Sequence, residues 1–104
     1  MSDGQRADLA EIRARIDLLD REVVRLLGER ETLVRQAGRL KSDDAAVRAP
    51  DRVAQVIARV RAMAEETGAS PEVVERTYRA MIGAFIDLEL AVHRDAGPSE
   101  PPSP

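Results

Sequence analysis

Residues 9–41 read LAEIRARIDLLDREVVRLLGERETLVRQAGRLK. Their apolar positions, Leu9, Ile12, Ile16, Leu19, Val23, Leu26, Leu33, Ala37 and Leu40, follow a 3-4-3-4 spacing. That spacing predicts one long amphipathic helix. The stripe has one break: between Leu26 and Leu33 the apolar position is taken by Arg30. A guanidinium does not escape burial by losing its proton, so a buried Arg30 requires an anion. Lys41 follows eleven residues later, almost three whole turns, which puts the two cations on one face roughly 16 Å apart along the axis. Arg13, seventeen residues before Arg30, points about a quarter-turn away and is better placed for a site on another chain.

A helix of this length measures roughly 50 Å. A compact domain of the chain's size has a radius of gyration near ~13 Å and hence a diameter of about 35 Å. The helix overshoots its own domain, and a second copy of the chain is the simplest surface for the excess. The expectation is a two-fold homodimer with the long helices crossing or antiparallel.

The chain has 104 residues, one domain's worth, and no Cys, which excludes disulfides and thiolate metal sites. A net charge of −3, with one Tyr, one Phe and no Trp, argues against nucleic acid as a partner. No apolar run reaches membrane-spanning length and no signal peptide opens the chain, so a cytoplasmic location is expected. Of sixteen basic residues only Lys41 is lysine, a hint that a compact ammonium is needed there or a matter of chance.

Strand signals are missing, and the fold class is all-α with three helices. Residues 1–7 are expected to be loose. Asp8 is a plausible N-cap with Glu11 completing a capping box. Residues 42–49 read as a loop. Pro50 opens a second helix that runs to about Thr67, with Val53, Val56, Ile57, Val60, Met63 and Ala64 as its stripe and Gly68 as its stop. Ser70 and Pro71 restart the chain as N-cap and first helical residue. The third helix reaches about Arg94 with Val74, Tyr78, Met81, Ile82, Phe85, Ile86, Leu88 and Val92 on its apolar face. The helical domain is therefore 8–95, followed by a Pro-rich tail at 96–104 that forms no core.

Glu89 interrupts the third helix's apolar face. It is either half of a structural ion pair or a functional acid. His93, alone near a helix end, reads as exposed. Arg52 reads as one of many solvated arginines. Gly28 reads as a point of tight helix packing. Gly38 either serves packing or lets a ligand approach the backbone. No metal-ligand cluster, P-loop or nucleophile elbow occurs. Site chemistry must come from Arg, Lys and Glu89, which means anion binding and electrostatic stabilisation.

The words Ile12-Arg13-Ala14-Arg15-Ile16-Asp17-Leu18-Leu19-Asp20, Leu26-Leu27-Gly28-Glu29-Arg30, Leu40-Lys41 and Val47-Arg48-Ala49-Pro50-Asp51-Arg52, in this order, resemble the all-helical chorismate mutases over roughly residues 8–94. The resemblance implies an intertwined three-helix homodimer with two shared active sites. It implies that Arg13 reaches one substrate carboxylate from the partner subunit and that Arg30 holds the other. Lys41 would hydrogen-bond the ether oxygen and a carboxylate, Glu89 would face that oxygen from the other side, and Arg52 would help bind the substrate. The catalytic set is thus Lys41, Glu89 and Arg30. The reaction, a Claisen rearrangement of the dianion chorismate to prephenate, needs no cofactor, no metal and no covalent intermediate.

The family pattern often has Gln where this chain has Glu89. An ionised carboxylate only accepts hydrogen bonds and would repel the charge growing on the ether oxygen. Glu89 is therefore expected to act protonated, with the rate falling as pH rises through its titration. Ala49 and Val53 stand where good mutases tend to carry acids that hold the substrate hydroxyl. The string from Ala45 to Val53 resembles the isochorismate-pyruvate lyases of the same fold, which make salicylate. Aminodeoxychorismate mutases, whose substrate carries an amine in place of the hydroxyl, are a third reading. A catalytically idle helical dimer, a binding module on the same scaffold, is the reading from another class.

Overall fold

The computed structural model describes the backbone of residues 3–96 and the side chains of 8–95. The Pro-rich stretch from residue 97 on lies outside the described residues, as do residues 1 and 2. The chain is all-α: α1 (Asp3–Leu40), α2 (Asp44–Arg48), α3 (Pro50–Thr67) and α4 (Pro71–Ala96). Three long helices match the pattern read from the sequence. Two details differ. Helix α1 begins at Asp3, so Asp8 is an interior helical residue and not its N-cap. The stretch read as a loop at 42–49 contains the five-residue helix α2.

The chain divides into a first unit ending at Leu33 and a second beginning at Val34. The described residues of the first are helical throughout. Leu9, Ile12, Ile16, Leu19, Val23 and Leu26 are all exposed on it. Arg25 bridges Glu22 and Glu29 on its surface, and Arg25 holds the Glu22 carboxyl below the usual carboxylate range. Such solvent-exposed i,i+3 and i,i+4 pairs add little to stability. Among the described residues Gly28 has nothing within 4 Å of where a Cβ would stand, so the expected tight packing at Gly28 is not found within the first unit.

The second unit holds the core. Val56, Ile57 and Val60 of α3 close on Ile82 of α4, with Val53, Val74, Tyr78 and Ile86 around them. Val47 from α2 and Leu90 from α4 are buried as well, although neither stood in the predicted stripes. Met63, assigned to the α3 stripe, is exposed. Glu75 fastens α4 to α3: it accepts from Arg61 of α3 and from Arg79 of its own helix, both at 2.6 Å. Arg79 and then Arg61 hold its carboxyl below the usual range.

The connections follow local chemistry. The Asp43 carboxylate accepts from Ala46 N–H at 2.8 Å and caps α2. Ala49 is at once the C-cap of α2 and the N-cap of α3, with φ 35°, in the left-handed region. An L-residue there costs roughly 1–2 kcal/mol. The bonds from Ala49 N–H to Ala45 O and from Val53 N–H to Ala49 O, each 3.0 Å, fix that corner. Gly68, with φ 84°, ends α3, and Ala69 N–H donates to Ala64 O at 2.9 Å in a Schellman closure. Ser70 Oγ accepts from Val73 N–H at 3.2 Å and opens α4 as predicted.

Candidate functional site

Helix α1 stops at Leu40, and the next residue is Lys41. Its ammonium donates to the Glu89 carboxylate on α4, forming an ion pair across 48 residues of chain. Glu89 is 5% exposed and is the buried charged residue among those described. Its burial follows from the α4 pattern. Ile82, Phe85, Ile86 and Glu89 share one face by 3-4 spacing, so the face that builds the core carries the carboxylate inward. A carboxylate so placed needs a partner, and removing one member of a buried pair costs several kcal/mol.

Gly38 shapes the contact. Three residues before Lys41 and itself buried, it is the point where the last turn of α1 approaches α4. A Cβ built on it would stand 2.8 Å from Glu89 Cγ and 3.7 Å from Cδ. The packing alternative for Gly38 is met by one neighbour, the side chain of Glu89.

His93 is the residue that sequence reasoning missed. It was read as exposed, yet its side chain is three-quarters covered. Its Nε2 lies 3.1 Å from the Lys41 carbonyl oxygen and its Nδ1 lies 3.7 Å from the Asp44 carboxylate. It stands one helical turn beyond Glu89, so α4 touches Lys41 twice, at the ammonium and at the main-chain carbonyl. The signal available in the sequence was that i,i+4 relation to Glu89.

Of the remaining candidates, Arg13 is exposed and Arg30 partly buried, both on the first unit. Arg52 is exposed on the first turn of α3. Ala49 and Val53 are half-buried in the second unit. Lys41 and Glu89 are two candidates that direct contact brings together. Among the described residues no group of three or more His, Cys, Asp or Glu could hold a metal ion, and no helix is long and apolar enough to cross a membrane.

Chemically, the pair offers an ammonium with three N–H donors, one of them engaged by Glu89, beside a carboxyl screened from water. In a water-poor setting such donors act strongly on a charge that develops nearby.

Residues 12–90 match the family described as chorismate mutase type II. An isochorismate pyruvate lyase of Pseudomonas aeruginosa is 38% identical over 86 residues, covering 83% of this chain and 85% of that protein. A bifunctional chorismate mutase/prephenate dehydratase of Aquifex aeolicus is 33% identical over 89 residues. That match covers 82% of this chain and 25% of the longer protein.

Proposed function

The chain belongs to the chorismate mutase type II family, and from that premise we propose that it is a homodimeric, cytoplasmic chorismate mutase converting chorismate to prephenate. The observation that carries the proposal is the Lys41–Glu89 pair. A buried carboxylate held on an ammonium is an expensive way to stabilise a fold, because well-packed apolar residues do as well or better. It is a suitable way to keep two hydrogen-bonding groups ready for a ligand.

In this reading each group has a defined task. Arg30 and Arg13, the latter from the partner subunit, clamp the two substrate carboxylates by paired charge-assisted hydrogen bonds. Lys41 directs a remaining N–H at the ether oxygen. In the rearrangement the C–O bond to that oxygen breaks as a new C–C bond forms, and negative charge grows on the oxygen in the transition state. Donors aimed there favour the transition state over the substrate, which raises kcat. Glu89 faces that oxygen from the opposite side, and Arg52 adds to substrate binding. Holding the flexible side chain over the ring supplies a further entropic contribution.

Support for the dimer comes from α1. Within the first unit, the face from Leu9 to Leu26, about 27 Å of helix, is exposed. A second copy of the same helix offers a surface of matching length and pattern.

A second reading, isochorismate-pyruvate lyase, is favoured by the Pseudomonas relative, which this chain covers over 85% of its length. The apolar Ala49 and Val53 also agree with it, since neither can hold a ring hydroxyl. Incubation with chorismate, isochorismate and aminodeoxychorismate, with products read by mass, separates the readings. Prephenate as the dominant product is expected. Salicylate with pyruvate would replace the mutase by the lyase. An amino-prephenate would assign the amino substrate. No turnover, together with no binding of a bicyclic dicarboxylate transition-state analogue, would leave a non-catalytic dimer.

A further inference from the structure

We propose that Gly38 is a positioning residue for the reaction: its missing Cβ is the space in which the Glu89 side chain lies, and this seats the Glu89 carboxylate on Lys41. The proposal rests on the mutase reading for its catalytic meaning and on geometry for its placement.

Three observations converge on it. First, a Cβ at position 38 would come within 2.8 Å of Glu89 Cγ. Cγ is the middle of the side chain, so the collision is not relieved by swinging the carboxylate alone. Second, Glu89 has little room to withdraw, being 5% exposed, and its main-chain carbonyl stands 3.6 Å from the same point. Third, Gly38 and Lys41 are three residues apart, so the turn that approaches α4 at Gly38 is the turn that delivers the ammonium. The alternative explanation, backbone freedom, does not apply. Gly38 sits within α1, and positive φ among the described glycines is confined to Gly68. A helical glycine is otherwise a poor choice, because alanine forms helix better. Its presence is accounted for by what occupies the missing volume.

The inference predicts a reversal of sign. In the parent protein, Gly38→Ala lowers kcat for prephenate formation about 10- to 100-fold, as expected when a reacting group is displaced by about 1 Å. KM changes much less, since the arginine clamp is untouched. The melting temperature falls by several degrees. In a Glu89→Ala background the Cγ and Cδ contacts are gone, and the remaining neighbour at 3.6 Å is ordinary packing. There Gly38→Ala costs no further activity and raises the melting temperature by about 4 °C, the helix-propensity gain alone.

The experiment is this four-variant cycle on the full chain, read by steady-state kinetics and thermal melts at equal protein concentration. The expected result is a Gly38→Ala effect that exists only when Glu89 is present. Equal costs in both backgrounds would overturn the proposal, because Gly38 would then serve packing in general. So would an unchanged kcat and melting temperature for Gly38→Ala alone. If no substrate is turned over, the mutase reading fails by itself. The melting-temperature cycle then decides whether Gly38 seats Glu89: a sign reversal supports it and additivity overturns it.

Discussion

Lys41→Met is expected to remove most of the prephenate-forming activity, at least about 10²- to 10³-fold in kcat, the usual loss when a donor to a developing oxyanion is deleted. The same change is expected to destabilise the fold by about 2–4 kcal/mol. That figure sits at the low end of what breaking a buried pair costs, because the Lys41 side chain is 30% exposed while that of Glu89 is 7% exposed. Met keeps the volume of the lysine stem, so the loss reports the charge rather than a cavity. Adding Glu89→Leu should return most of the stability, since a matched apolar pair replaces an orphaned carboxylate, and should return none of the activity. Urea unfolding at fixed protein concentration and steady-state kinetics on the four variants read the two quantities separately. Full stability in Lys41→Met alone would mean that the Glu89 carboxylate is not held by the ammonium in solution. Activity regained with stability in the double variant would remove Lys41 from the chemistry. Glu89→Gln offers a neutral control, keeping an acceptor for Lys41 and a fixed donor for the ether oxygen.

How much of this was legible in the sequence depended on whether a residue's role was set by its own helix. Glu89 announced itself because it broke the apolar spacing of α4, and α4 folds with that face inward. The stops and starts at Gly68, Ser70 and Pro71 were legible because their chemistry is local. Helix α2 was not. Its cap, Asp43, was one of two adjacent aspartates in a run that carried no length of periodic pattern. Ala49 gave no warning of its left-handed backbone, since the corner is fixed by bonds to Ala45 and Val53 and not by the residue type. His93 was legible only as a neighbour of Glu89 one turn away: its partner is the main-chain carbonyl of Lys41, and a carbonyl leaves no trace in a sequence. Gly28 and Gly38 looked alike as helix interruptions. Only the tertiary neighbour tells them apart, open space for one and Glu89 for the other.

A mixed dimer of Arg13→Ala and Arg30→Ala chains should regain activity that neither variant shows alone. Each single variant is expected to lose at least about 10²-fold in kcat/KM through loss of a charge-assisted clamp on a carboxylate. The two arginines are seventeen residues apart on one continuous helix, and so about 25 Å apart along its axis. No single substrate of chorismate's size spans that distance on one chain. If both arginines hold one molecule, they must come from different chains. In a two-fold dimer the consequence is asymmetric. One site of the heterodimer receives both defective residues and is dead, while the other receives an intact Arg13 from one chain and an intact Arg30 from the other. Heterodimers isolated through two different affinity tags should therefore show about half of wild-type activity. Were each site built from a single chain, every site in the mixed dimer would carry one lesion and activity would stay at the level of the single variants. That result would leave α1's exposed face as an interface without a shared active site, and the two-chain clamp would have to be abandoned.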